Sequence, residues 1–332
     1  MIPEYNYQCI DHSIITPPFK KYIVSPLFRF IPWGIPANLI TIISNVFLYT
    51  SVYLAASKGT ADSNYIIIPF LIFLYAIGDH FDGMQAKRTK TSSGLGEFCD
   101  HYLDVFNNGI LLYILITLYK VENPFVITFL YLTAYIPHAA VIYEEYKTKW
   151  LVFEAIGSLE GVFLIIILSL LGASDTVFNF FQAKIIYNLS LIELVMLLST
   201  AGTMGTLVKI YFRIKQFSSG FFIYVVCSLY TFYFCFNYTS LLFTFLFFTF
   251  YNGDYLGKLM RGHLADGMER YPDLVMPAAL LVFNLSYTFY GRPVVEAELY
   301  LIFAYLAMRV FWTTAVVVFI LRKNIVLWNP GL

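Results

Sequence analysis

Long apolar stretches dominate the chain, and short polar stretches separate them. Windows rich in aliphatic and aromatic residues fall at 39–57, 65–82, 100–119, 124–143, 152–172, 186–208, 219–236, 238–251, 274–290 and 297–321. Most of these windows reach about 20 residues, the length at which an α-helix crosses the hydrocarbon core of a bilayer. The pattern predicts an all-α polytopic membrane protein with about ten transmembrane helices, among which the seventh and eighth windows are short.

Composition agrees with this prediction and narrows the choice of partners. Of 332 residues, 59% are hydrophobic and 13% are charged, against about 25% charged in ordinary soluble domains. Lys and Arg together number 21, as do Asp and Glu, so the formal net charge is zero. Because no basic surplus exists, we expect membrane lipids and no nucleic acid as partners.

Basic residues gather on one side of the predicted spans. When the polar segments are assigned alternately to the two sides, sixteen Lys and Arg fall on one side and four on the other, with Arg309 inside the last span. Lys58 belongs to the smaller group and Lys323 to the larger. The positive-inside rule then predicts that both termini are cytosolic. We expect the endoplasmic reticulum or Golgi in a eukaryote and the inner membrane in a bacterium.

The segment before the first span mixes basic and aromatic residues. Tyr22 to Trp33 includes Arg29, Phe28 and Phe30. This composition suits a helix that lies along the membrane surface, and it suits a plain linker equally well. Both interpretations stay open for this part of the cytosolic N-terminal segment 1–38.

One polar segment interrupts the apolar pattern and carries four aspartates at the ends of two predicted membrane helices. Asp79 and Asp82 have i, i+3 spacing, and Asp100 and Asp104 have i, i+4 spacing. Each pair therefore shares one face of its helix. A turn around 92–94 between the two helices would direct all four carboxylates to one place.

Four carboxylates near a membrane repel one another unless a positive charge compensates them. Oxygen ligands suit the hard divalent cations Mg²⁺, Mn²⁺ and Ca²⁺, and a two-metal site would leave positions open for the oxygens of a diphosphate. Gly83, Gly94 and Gly96 would let a phosphorylated ligand approach the backbone. The alternative is that the aspartates cap helices and pair with nearby Lys and Arg, which the four specific spacings disfavour.

The same run resembles the signature of the CDP-alcohol phosphotransferases, D-x2-D-G-x2-A-R-x8-G-x3-D-x3-D. Seven of its eight fixed positions over 26 residues match, with Lys87 in place of the family Arg and Arg88 directly after it. Lys keeps the positive charge and loses the planar guanidinium, so it cannot make a bidentate phosphate contact. The matching residues are Asp79, Asp82, Gly83, Ala86, Gly96, Asp100 and Asp104.

Three shorter elements are similar to the choline and ethanolamine phosphotransferase branch of this family. They are the run from Pro36 to Thr41, Glu160 with Gly161, and the run from Lys258 to His263. The resemblance implies a six-span catalytic core over 39–215 and about four C-terminal spans over 216–332. Members of the family often form homodimers, so a homodimer is a further expectation from the resemblance.

The resemblance implies an enzyme that transfers phosphoethanolamine or phosphocholine from a CDP-alcohol to the hydroxyl of a lipid acceptor, with diacylglycerol favoured, and releases CMP. Two ions, Mg²⁺ or Mn²⁺, would be bound by Asp79, Asp82 and Asp100, with Asp104 as a further ligand or as the general base. The implied substrate-binding residues are Asn38, Gly83, Ala86, Lys87, Arg88 and Gly96.

The reaction needs a group that accepts the proton of the attacking hydroxyl. His101 has a suitable ordinary pKa, and in this branch it would work with Glu160. Asp104 is the alternative base. Two other functions also stay open: the same chemistry on ceramide, which would give ceramide phosphoethanolamine, and a cation-coupled membrane carrier, which the lack of internal repeats disfavours.

Overall fold

The structure is a computed structural model that describes residues 7–57 and 64–322; Lys58 and Lys323, two of the basic residues assigned to the sides of the membrane, lie outside these ranges. The described chain is almost entirely helical. The few strands are short: β1 (Cys9–Asp11) pairs with β2 (Leu151–Phe153), and β3 (Lys184–Ile186) pairs antiparallel with β4 (Leu189–Ser190). The predicted all-α class is confirmed.

The helices follow the predicted apolar windows. Two short helices come first, joined by a π-helical turn over Lys20–Val24. In chain order the helices are α1 (Thr16–Phe19), α2 (Ser25–Phe28), α3 (Ala37–Ala56), α4 (Asn64–Thr89), α5 (Gly94–Leu118), α6 (Pro124–Thr148), α7 (Ser158–Leu171), α8 (Asp175–Gln182), α9 (Leu191–Ile214), α10 (Ser219–Tyr238), α11 (Leu241–Arg261), α12 (Val275–Tyr290) and α13 (Glu296–Leu321).

Fewer helices than the predicted ten have the length and composition of a membrane span. In the described residues seven qualify (α3, α4, α5, α6, α9, α10 and α13), and the number rises to eight if α7 and α8, bent by 115°, form one broken span. Helix α12 has 16 residues, or about 24 Å at 1.5 Å per residue, which is short for a hydrocarbon core about 30 Å thick. Helix α11 carries Asp254, Lys258 and Arg261 in its C-terminal half.

The chain divides into two compact units. The first consists mainly of Cys9–Val121 and Val152–Gly202, and the second mainly of Glu122–Leu151 and Thr203–Ile320. The predicted boundaries at 38 and 215 delimit a catalytic core. The division into compact units does not test them, and they stay predictions. All the predicted site residues lie in the first unit.

In the first unit α3 packs along α4, and α5 and α7 complete the group. Close approach of α3 and α4 depends on Gly78, where an added Cβ would lie 2.5 Å from the Ser44 Cβ. Small residues at a helix contact let two membrane helices pack tightly. This packing brings the start of α3 beside the aspartate-bearing end of α4.

In the second unit α6 packs against α10 and α11, and α10 also contacts α12. Asp254 on α11 is fully buried and accepts hydrogen bonds from Lys258 Nζ at 2.6 Å and Thr313 Oγ1 at 3.0 Å. Arg309 Nη2 lies 3.4 Å from the same carboxylate. A charge inside the last span is therefore compensated within the protein, as buried charges in membranes require.

Candidate metal and phosphate site

Helices α4 and α5 form a hairpin that carries the four aspartates. Helix α4 ends at Thr89, and Lys90 reverses the chain with a positive φ of 57°. Ser93 then caps α5, because its Oγ accepts a hydrogen bond from the Gly96 N–H at 3.2 Å. Ser is a favoured N-cap residue for this reason. The predicted helix–turn–helix arrangement is present, with Asp79 and Asp82 on one arm.

The hairpin brings the four carboxylates within electrostatic range of one another. Asp100 is repelled by Asp79, Asp82 and Asp104, and Asp79 is repelled by Asp82 and Asp104. Such a cluster is costly without a compensating cation. Its all-oxygen donor set fits one or two hard divalent cations, and the side chains of Asp79 and Asp100 are about one-third exposed, at 31% and 33%, so an ion or a phosphate can reach them.

Asp82 is held by groups from both α3 and α4. Its side chain is 4% exposed. Thr41 Oγ1 on α3 donates to Asp82 Oδ2 at 2.6 Å, and the Gly83 N–H donates to Oδ1 at 2.6 Å. Short hydrogen bonds to a carboxylate are charge-assisted and fix its orientation. Thr41 therefore positions a predicted metal ligand, a role that the sequence did not indicate.

Asp104 is held by a second pair of buried side chains. Tyr75 on α4 donates its phenol hydroxyl to Asp104 Oδ1 at 2.9 Å, and Asn107 Nδ2 approaches the same oxygen at 3.4 Å. Asn107 Nδ2 also donates to the Tyr75 oxygen at 3.1 Å. Both side chains are almost fully buried. The sequence could have indicated Asn107, because it lies three residues after Asp104 on the same helix. It could not have indicated Tyr75, which lies 29 residues away on another helix.

We expect Tyr75→Phe to weaken divalent-metal binding by about tenfold, since it removes a hydrogen bond to a charged group worth about 1.5–3 kcal/mol. Phe keeps the ring volume and the buried packing. The check is the Mg²⁺ affinity measured by calorimetry beside that of Tyr53→Phe, which alters an exposed tyrosine on α3. Equal Mg²⁺ affinity in the two variants would contradict a positioning role for Tyr75.

The predicted substrate-binding residues lie at the turn of the hairpin, near the end of α4 and the start of α5, and at the start of α3. A Cβ added at Gly96 would lie 3.6 Å from Asn38 Oδ1, so the first turn of α3 meets the first turn of α5. A Cβ added at Gly83 would meet nothing within 4 Å. Ala86 is half-buried and Lys87 is exposed near the end of α4. Open space beside an exposed glycine allows a ligand to approach the backbone.

Arg88 contacts the segment that leads into α3. Its Nη2 donates to the Ile31 carbonyl oxygen at 2.7 Å, and its guanidinium lies over the rings of Phe28 at 4.4 Å and Trp33 at 4.8 Å. Gln85 Nε2 donates to the Ile35 carbonyl oxygen at 2.6 Å. These contacts hold the segment before α3 in place. The predicted contact of Arg88 with phosphate stays a prediction.

The N-terminal helical segment differs in its bounds from the predicted surface helix. Helical structure begins at Thr16 and ends at Phe28, and Arg29 to Pro36 connect it to α3 through turns. Pro32 and Pro36 disfavour a continuous helix there, because proline lacks the N–H that the helix needs.

The two residues predicted to assist proton transfer lie in different settings. His101 Nε2 is 3.9 Å from Asp100 Oδ2, and the imidazole is 11% exposed. Glu160, at the start of α7, accepts hydrogen bonds from Ser13 Oγ at 2.6 Å, the Ile15 N–H at 3.0 Å and the Gly157 N–H at 2.8 Å. The partnership of His101 with Glu160 stays a prediction.

Comparison with known proteins gives a family. The family model described as CDP-alcohol phosphatidyltransferase matches residues 35–246. That range includes both arms of the aspartate hairpin, Asn38 and Glu160. It covers well over half of the chain.

Several relatives match over shorter ranges. Uncharacterized CDP-alcohol phosphatidyltransferase class-I family protein 2 of Dictyostelium discoideum is 28% identical over 177 residues, which are 51% of this chain and 43% of that protein. Choline/ethanolaminephosphotransferase 1 of Arabidopsis thaliana is 37% identical over 110 residues, 30% of this chain and 27% of that protein. Choline/ethanolaminephosphotransferase 1 of Saccharomyces cerevisiae is 27% identical over 119 residues, 34% and 30% of the two chains. Each match covers less than half of the relative's length.

Proposed function

The chain belongs to the CDP-alcohol phosphatidyltransferase family, and we propose that it transfers phosphoethanolamine or phosphocholine from a CDP-alcohol to the hydroxyl of diacylglycerol. The observation that carries the proposal is the α4–α5 hairpin, which brings four carboxylates together at one end of two membrane helices. The relatives named choline/ethanolaminephosphotransferase support the choice of head group.

The carboxylates suit a diphosphate substrate. Asp79, Asp82 and Asp100 would hold the divalent ions, which supply Lewis-acid neutralisation of the diphosphate when bound. Thr41 fixes the orientation of Asp82. The open backbone at Gly83 lets the phosphates approach. Asn38, beside Gly96, offers an amide to the nucleotide part of the donor.

The transfer step balances without a further co-reactant. The lipid hydroxyl oxygen forms a bond to the phosphorus next to the small alcohol, and the phosphoanhydride bond to CMP breaks with its electron pair leaving on CMP. The hydroxyl proton passes to His101 or Asp104, which stand one helical turn apart on α5. Asp104 is the candidate that Tyr75 and Asn107 hold in place.

The test is CMP release by purified protein in lipid vesicles with Mg²⁺ or Mn²⁺. CDP-ethanolamine and CDP-choline are each combined with diacylglycerol and with ceramide, and Asp100→Asn is the blank. We expect release with diacylglycerol and at least one donor. Release with ceramide alone would correct the acceptor, and no release from any combination by folded, metal-loaded protein would contradict the proposed function.

A further inference from the structure

The N-terminal segment packs directly over the aspartate-bearing arm of the site. Phe19 is 3% exposed, and its ring meets the edge of the His80 imidazole and the Phe163 ring, each with centroids 5.2 Å apart. Val24, in the following turn, is fully buried. Such burial of large apolar side chains contributes about 1.5–3 kcal/mol each, so the segment is docked on α4 and α7.

Glu160 accepts hydrogen bonds from the residues at the start of this segment. Its Oε1 accepts hydrogen bonds from Ser13 Oγ at 2.6 Å and from the Ile15 N–H at 3.0 Å. Ser13 Oγ in turn accepts from the Thr16 N–H at 3.0 Å and from Thr16 Oγ1 at 2.8 Å. The carboxylate is therefore the centre of a network that begins the helical segment, and charge-assisted bonds of this kind are the stronger ones.

Lys20 follows the buried Phe19 and is exposed. It begins the π-helical turn Lys20–Val24, which contacts α4 next to the Phe19–His80 ring contact, and its charge interacts with the Asp79 carboxylate. Lys21 points elsewhere, with Nζ 5.0 Å from the centroid of the Tyr22 ring. The anchored segment thus brings one of two neighbouring lysines to the edge of the carboxylate cluster.

The charge of a bound diphosphate gives Lys20 a role as a further cation. Two divalent ions would only offset the four carboxylates, so the negative charge of a bound diphosphate calls for further cations. Arg88, which directly follows the motif's basic position at Lys87, already bonds to the Ile31 carbonyl oxygen. Lys20 is exposed to solvent, and the flexible stem of a lysine suits a contact to a phosphate that arrives from water.

We propose that Lys20 binds the diphosphate of the CDP-alcohol and that Glu160 is a positioning residue, which holds the segment carrying Lys20 over the site. The proposal rests on the proposed function for the identity of the ligand. It assigns to Glu160 a mechanical task through Ser13 and Ile15, in place of the predicted partnership with His101.

The first test compares Lys20→Ala with the matched control Lys21→Ala. We expect Lys20→Ala to raise the KM for the CDP-alcohol about tenfold, the size of one charge-assisted contact, with the KM for diacylglycerol unchanged. Lys20→Arg should restore donor binding. Equal donor KM values in Lys20→Ala and Lys21→Ala would overturn the assignment, while CMP release by the unaltered protein shows separately whether the proposed function stands.

The second test concerns Glu160, and its first two readouts, amide exchange and donor binding, do not require turnover. We expect Glu160→Ala and Ser13→Ala both to speed amide hydrogen exchange over 15–24 and to weaken binding of CDP-ethanolamine, measured by calorimetry with Mg²⁺. The pH profile of kcat in Ser13→Ala should match that of the unaltered protein. Unchanged exchange and binding in both variants, with kcat lost only in Glu160→Ala, would show that Glu160 acts in the chemistry and would overturn the positioning role.

Discussion

Asp100→Asn is expected to lower the rate of CMP release by about a thousandfold or more while the protein stays folded. Asp100 interacts electrostatically with the other three carboxylates of the cluster. A bound divalent cation stabilises the transition state by several kcal/mol, and about 4 kcal/mol corresponds to a thousandfold in rate. Asn keeps the shape of the side chain and removes the negative charge that the ions need.

The same substitution should lower activity but raise the thermal stability of the metal-free protein. Without metal, Asp100→Asn relieves repulsion among the carboxylates, so the metal-free variant should unfold at a higher temperature than the metal-free unaltered protein. With metal at 100 times its Kd, the unaltered protein gains about 2.7 kcal/mol, and the variant should gain far less. Thermal unfolding with Mg²⁺ and after chelation measures both effects.

The control for these measurements is Asp175→Asn. Asp175 is exposed in the first turn of α8 and belongs to the same unit. It should behave as the unaltered protein in activity and in metal-dependent unfolding. If Asp100→Asn responded to metal as strongly as this control, the four carboxylates would not be the metal site.

The second large effect concerns the proton acceptor. General base catalysis contributes about 10²- to 10⁴-fold, so His101→Gln should lower kcat by that amount if His101 takes the proton. The variant should also lose the limb of the pH–rate profile that reports proton transfer to the imidazole. The measurement is kcat against pH at saturating Mg²⁺ and donor.

Two companion variants separate the alternatives. His138→Gln, on α6 of the other unit, controls for loss of a histidine as such and should keep the pH profile. Asp104→Asn should raise the Mg²⁺ requirement if Asp104 is a ligand. A pH–rate limb that survives in His101→Gln and disappears in Asp104→Asn would instead make Asp104 the base.

Local sequence determined the membrane character and the helical elements. All ten apolar windows coincide with helices, because a stretch of apolar residues in a bilayer must satisfy its backbone hydrogen bonds within itself. The family resemblance, confirmed over residues 35–246, rested on the same kind of local information. The face-sharing spacing of the aspartates is a property of the helix alone.

The span count was less predictable, since hydropathy windows do not show where a helix bends or stops. The break between α7 and α8 follows Gly172, where an added Cβ would lie 2.8 Å from the ring of Tyr65 on α4. That contact joins residues more than a hundred positions apart. No local pattern indicates it.

The sequence alone therefore determined the helices and the positions of Asp79, Asp82, Asp100 and Asp104 on them. Only the tertiary structure decided which side chains of neighbouring helices hold two of these carboxylates: Tyr75 for Asp104 and Thr41 for Asp82. It likewise decided that Glu160 bonds to Ser13, 147 residues away. Hydrogen bonds between distant residues depend on how helices pack, and periodicity within a helix carries no information about that packing.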